Sequence, residues 1–239
     1  HKEYRRQRQM CIRDSYKRMS PCLGFNLKYR IPSITDIEKF ELRAGLAYGR
    51  VSGSDSKNND PELRARNLSF KSHIIEFNLG CEYTILDMNS EEGGLISPYV
   101  FAGIGIFHFN PYTFDNQGNK VFLRPLCTEG QGLAEYPGRK KYNLTQFEIP
   151  FAVGAKVDIG AYIPALDGWT FSYEFMYHHT FTDYIDDVSK TYVSLDLLKS
   201  KYGAKSAELS FRESNTPFAR REDERRGNPG NRDLFFYNT

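Results

Sequence analysis

Residues 146–158, QFEIPFAVGAKVD, divide into two faces when taken two by two. Phe147, Ile149, Phe151, Val153, Ala155 and Val157 fall on one face, and Gln146, Glu148, Pro150, Lys156 and Asp158 on the other. Successive side chains of a strand point to opposite sides, so the alternation predicts a β-strand between two media. Its length, with one face apolar and the other charged, suits a tilted strand crossing a bilayer around a polar lumen.

The pattern recurs upstream and downstream. Leu23, Phe25, Leu27 and Tyr29 alternate with Gly24, Asn26, Lys28 and Arg30; Phe40, Leu42, Ala44, Leu46 and Tyr48 alternate with Glu41, Arg43, Gly45, Ala47 and Gly49. Ile75, Phe77, Leu79, Cys81 and Tyr83 oppose Glu76, Asn78, Gly80 and Glu82. Trp169, Phe171, Tyr173, Phe175 and Tyr177 oppose Thr170, Ser172, Glu174, Met176 and His178, an aromatic weight that suits an interface girdle. Residues 98–109, PYVFAGIGIFHF, are apolar on both faces and broken by Gly103 and Gly105, which predicts close packing or a kink on the inner side. The GxG there is no dinucleotide loop, because the chain continues as strand where that fingerprint needs a helix, a third glycine and a later carboxylate.

Strands are thus expected near 20–30, 39–51, 68–84, 96–109, 144–159 and 168–182, with a partial one at 232–239, and no segment carries a long helical period. The connections alternate: short at 31–38, long at 52–67, fairly short at 86–95, long at 110–143, short at 160–167 and very long at 183–231. Outer-membrane barrels combine short periplasmic turns with longer outer loops in this way. The phase implies one strand before the first visible one and about eight in all, an even number. The expected fold is all-β, an antiparallel up-and-down transmembrane β-barrel truncated at both ends.

Residues 1–15, HKEYRRQRQMCIRDS, break every later pattern, and QRQMCIRDS resembles a translated sequencing adapter. They are expected to be non-native, the alternative being a basic periplasmic tail, and 16–239 to form one barrel domain lacking its first strand and the end of its last. A barrel also needs a signal peptide, and its absence is expected to reflect truncation. A mean hydropathy of -0.57 does not oppose a barrel, since lumen residues and loops dilute the apolar band. A net charge of +2, with Lys and Arg dispersed, excludes a basic nucleic-acid face. Cys11, Cys22, Cys81 and Cys127 form no CxxC pair, so neither a zinc site nor a disulfide framework is indicated.

Several stretches, GLAYGRVSGSDS (45–56), RARNLSFKSHIIEF (64–77), SPYVFAGIGIFHFNP (97–111), PLCTEGQG (125–132), IPFAVGAKVDI (149–159), TFTDYIDDVSKTY (180–192) and RGNPGNRDLFF (226–236), together resemble the PorG-type outer-membrane barrels of the Bacteroidota. The resemblance implies a component of the type IX protein secretion system, associated with a periplasmic ring of PorK and PorN type. It implies a scaffold or anchor in the cell outer membrane, in contact with lipid, with no catalysis and no cofactor. Ring contacts would then fall on the turns 31–38, 86–95 and 160–167.

The inward set Lys28, Arg30, Glu41, Arg43, Glu76, Glu82, Glu148, Lys156, Asp158 and Glu174 mixes both signs and is expected to pair and plug a lumen that side chains can fill. Asp183, Asp186 and Asp187 could offer oxygens to a hard cation, but they lack EF-hand order and are expected to cap and solvate a loop base. His178 and His179 point to opposite faces and cannot ligate together. Ser172 and His178 lie about 20 Å apart along one strand, too far for a triad with Glu174. No catalytic, cofactor-binding or metal-ligating residue is therefore expected. The alternatives are a small-ligand channel or lipid-modifying barrel enzyme, and a soluble lipocalin-like barrel. The last would turn Phe147, Phe151, Phe171 and Phe175 inward.

Overall fold

A computed structural model of the chain describes residues 22–30, 39–57, 61–86, 96–159, 163–166, 169–212, 225–227 and 233–238. Nine strands form one antiparallel sheet: β1 (Leu23–Arg30), β2 (Phe40–Ser54), β3 (Ser69–Thr84), β4 (Ile96–Phe109), β5 (Tyr112–Phe114), β6 (Lys120–Phe122), β7 (Thr145–Asp158), β8 (Thr170–Thr180) and β9 (Leu234–Asn238). Seven of them run in the order β1-β2-β3-β4-β7-β8-β9, each beside its predecessor on that path, while β5 and β6 make a small hairpin against β3. The strand expected before β1, like residues 1–15, lies outside the described residues. All seven expected strands are present, with ends within three residues of the expected limits.

The two faces separate as the alternation requires. Phe147 is 72% exposed, Phe151 47%, Phe171 60% and Phe175 38%, all on the convex side, and Ile104 and Phe25 reach 70% and 69%. The phenylalanines that a lipocalin-like interior would need inside are outside, which contradicts that alternative. Glu76, Glu82, Glu148 and Glu174 are instead the buried members of their strands, at 2%, 0%, 1% and 2%. Arg43 of β2 touches Glu174 of β8, four steps along the sheet, so the sheet curls into a half-barrel with the charges on its concave side.

In β4 the inner residues Tyr99, Phe101, Phe107 and Phe109 are buried, while Val100, Ile104 and Ile106 face outward. Gly103 and Gly105 interrupt the inner row, and β4 packs closely there as expected: a Cβ on Gly103 would lie 2.5 Å from the Leu79 carbonyl oxygen of β3. The β4–β7 ladder lapses opposite Pro150, which has no N–H to give. At the long-loop end, Ile74, Phe107, Phe109, Tyr142, Ile185 and Phe235 close into an apolar layer. Above it sits a cap of chain without strand order, built from segments 123–144 and 181–212 and residues 225–227, with helices Leu195–Tyr202 and Ala204–Ser210. A further short helix, Pro61–Arg66, follows β2. None of the helices among the described residues is long and apolar enough to cross a membrane, which says nothing of crossing by strands.

Candidate functional site

The concave face carries its polar groups in two levels. Toward the short-turn end, six strands contribute to one belt. Arg43 (β2) donates two bonds to the Glu174 carboxylate (β8), at 2.5 and 2.8 Å, and stands 3.5 Å from Glu82 (β3). Lys28 (β1) and Lys156 (β7) reach Glu82 at 2.7 and 2.6 Å, and Lys156 also reaches Glu41 at 3.1 Å. Tyr99 (β4) donates its hydroxyl to Glu174 at 3.0 Å, and Phe101 lies beneath the Arg43 guanidinium, 4.6 Å from ring centre to carbon. Three cations thus meet three carboxylates, Lys28, Arg43 and Lys156 with Glu41, Glu82 and Glu174, and the belt balances its charge internally. Such pairing is what makes buried charge tolerable.

Nearer the long loops, Glu76 (β3), Glu148 (β7) and His178 (β8) converge with one ligating atom each inside 4.8 Å. His178 Nδ1 is 3.2 Å from Glu148 Oε2 and 3.5 Å from Glu76 Oε2. Asn78, one inward position along β3, donates Nδ2–H to Glu76 Oε1 at 2.5 Å. Phe235 of β9 stacks on the imidazole, 4.2 Å between centroids and 8° between planes, which holds the ring in place.

The cap is a third polar centre. Glu129 Oε1 accepts the backbone N–H groups of Ser189 and Lys190 at 2.8 and 2.9 Å and a bond from Arg226 at 3.2 Å. Arg226 also donates to the Asp187 and Ser210 carbonyls, at 2.6 and 3.2 Å. Asp187 accepts from Thr128 and Tyr142 at 2.6 and 2.7 Å. Arg66 clasps Asp55 at 2.6 and 2.8 Å and donates to the Arg226 carbonyl, tying the β2–β3 loop to the same centre. The backbone of Gly227 lies against Ser189 so closely that a Cβ there would sit 2.7 Å from the Ser189 nitrogen. Burial pushes the Asp187 carboxyl up to about 6 against the pull of Arg226, and burial raises Asp183 to about 7. Burial likewise holds the Tyr142 phenol far above its ordinary value, with the Asp187 charge adding to it.

Of the inward set expected from sequence, Lys28, Glu41, Arg43, Glu82, Lys156 and Glu174 come together in the belt. Arg30, 3.5 Å from Glu41, leaves most of its side chain in solvent, and Asp158 is half-buried at the end of β7. Asp183, Asp186 and Asp187 cap their loop, taking bonds from Ser189 Oγ, the Val188 N–H, and Thr128 and Tyr142. Asp187 is wholly buried, however, and not solvated as expected. Ser172 is exposed while His178 is buried, so the two share a face but no site. The meeting of Glu76 and Glu148 with His178 was missed, although all three belong to inward rows. Cys22, Cys81 and Cys127 carry free thiols. The turns at 31–38 and 87–95, and residues 160–162 and 167 of the third, lie outside the described residues.

Residues 17–124 match a family model described as a domain of unknown function, DUF6089. That stretch spans β1 to β6, including the belt residues Lys28, Arg43, Glu82 and Tyr99 together with Glu76. No curated protein and no solved structure matches the chain.

Proposed function

We propose that this chain is the wall of a non-catalytic outer-membrane β-barrel that anchors or organises protein secretion machinery, as its resemblance to the PorG-type barrels of the Bacteroidota implies. The observation that carries the membrane part is the convex face. Leu, Ile, Val, Phe and Tyr side chains stand 38–72% exposed along β2, β3, β4, β7 and β8, and all of these but β4 bury charged side chains on the opposite face. Water would penalise so large an apolar surface, and hydrocarbon would reward it. The balanced belt favours a scaffold over a channel, because side chains from β2 and β8 meet across the concavity where a solute would pass.

Replacing Ile104, 70% exposed near the middle of β4, by Arg tests the membrane part. An arginine on the lipid face near the midplane costs roughly 2–4 kcal/mol. Ile104→Arg should therefore cut recovery of the protein, expressed with a secretory leader, from the outer-membrane fraction, and equal recovery would overturn the assignment. For the anchoring part, the protein purified from its own cells should carry periplasmic ring subunits. A clean pull-down together with intact secretion after gene deletion would overturn it, and single-channel conductance in planar bilayers would favour the channel alternative.

A further inference from the structure

We propose that Glu76, Glu148 and His178 bind one divalent transition-metal cation, of which Zn²⁺ is the simplest, between strands β3, β7 and β8. A zinc ion takes nitrogen and carboxylate oxygen at about 2.0–2.2 Å, which sets tetrahedral ligands about 3.4 Å apart. The separations of 3.2 and 3.5 Å from His178 Nδ1 to the two carboxylates already match that spacing.

With both carboxyls ionised, hydrogen bonding does not account for the arrangement; the competing arrangement is a proton shared between Glu76 and Glu148. One ring nitrogen has one lone pair or one N–H in the ring plane, so Nδ1 serves two carboxylates only through a shared, weaker three-centre bond. A cation between the three groups serves all of them.

A second observation points to a ligand at the same place. Glu148 is 1% exposed, yet its Oε1 has no hydrogen-bond partner. Among the described residues Glu148 forms no ion pair with lysine or arginine; its polar neighbours are the His178 imidazole and Glu76. A buried carboxylate is costly unless it is paired or coordinates a metal.

The surroundings fit a held ligand set. A Cβ on Gly105 would come within 2.8 Å of Glu148 Oε1, so the glycine leaves the space that this carboxylate occupies. Asn78 orients Glu76 from outside the ligand set, as partners of metal-binding carboxylates commonly do. An imidazole with two carboxylates suits zinc, manganese or iron, whereas calcium asks for six to eight oxygens. An ion here would fasten three strands just beneath the apolar layer that supports the cap. The inference holds whether or not the convex face lies in a bilayer.

The test is titration of the full, folded protein, first stripped with a chelator, with Co²⁺ as a spectroscopic probe and Zn²⁺ as competitor. One equivalent of Co²⁺ should bind with visible absorption bands that Zn²⁺ abolishes. The isosteric Glu148→Gln and the His178→Gln variants should each bind at least about tenfold more weakly. Absence of stoichiometric uptake by the folded wild-type protein, or uptake by both variants equal to wild type, overturns the proposal. The wild-type titration decides by itself if neither variant folds.

Discussion

The wall and the cap both bury charge, but by different means. In the wall each charge sits at an inward position of a strand, its height fixed by register, and the partners come from neighbouring or facing strands. In the cap, Glu129, Asp187 and Arg226 lie on chain without periodicity; Glu129 and Arg226 bond backbone groups as well as each other, and Asp187 takes the hydroxyls of Thr128 and Tyr142. A wall charge is thus placed by a repeating geometry and neutralised by side chains, whereas a cap charge creates the loop conformation that it then occupies. Substitutions in the wall should cost global stability, and those in the cap should loosen a local unit.

The largest expected effect lies in the belt. Arg43→Met removes the cation bound to Glu174 and leaves that buried carboxylate with the Tyr99 hydroxyl, while Glu82 keeps Lys28 and Lys156; uncovering one buried charge is a class of change that costs roughly 3–5 kcal/mol. Denaturant unfolding should register that loss, and the double variant Arg43→Met/Glu174→Gln should recover part of it. A loss below about 1 kcal/mol, the scale of an exposed pair, would remove the belt from the account of stability.

Arg226→Met should approach the same size at its own site, since it strips donors from Glu129 and from two carbonyls. Hydrogen exchange should rise at Ser189 and Lys190, whose amides bond Glu129, while the β2–β3 and β4–β7 ladders stay protected. Equal loosening of cap and wall would erase the contrast between them. Gly227→Ala is smaller, about 1–3 kcal/mol, because the new methyl meets Ser189 backbone that must move aside. Its exchange signature should match that of Arg226→Met, and a pattern confined to the wall would refute the placement of Gly227.

The same contrast explains what could be read in the sequence. Strand alternation is a local signal, so β7 and β8 were legible from QFEIPFAVGAKVD and WTFSYEFMY, and with them the inward phase of Glu148, Lys156 and Glu174. Register is not local: nothing within a single strand says that Glu76, Glu148 and His178 meet, and even the paired rows set Glu148 opposite Thr180 and, through Gly105, in line with Asn78, so Glu76 and His178 reach it only on the diagonal. The hairpin β5–β6 and the helices Pro61–Arg66, Leu195–Tyr202 and Ala204–Ser210 are too short to display a period. The cap contacts were hidden for a further reason. Glu129 and Arg226 meet across 97 residues, and their partners are backbone groups that any sequence would supply.

The smallest expected effect separates the two regions by pH. Asp183 and Asp187 are held at about 7 and about 6, mainly by burial, against an ordinary value of 3.8. A carboxyl whose folded value is raised keeps its proton after the unfolded chain has released its own, so folding binds the extra proton and stability falls as pH rises. The fall begins near pH 4, ends near 6 for Asp187 and near 7 for Asp183, and is level above that. Asp183 is half-exposed, so solvent screening makes its share modest. Amide exchange across residues 183–190, corrected for the intrinsic chemical rate, should therefore be slower at pH 5 than at pH 8. Asp183→Asn, which keeps an oxygen for the Ser189 hydroxyl but has nothing to ionise, should flatten the upper part of that dependence. If the variant shows the wild-type slope between pH 6 and 7, the pH response of the cap has another source than this carboxyl.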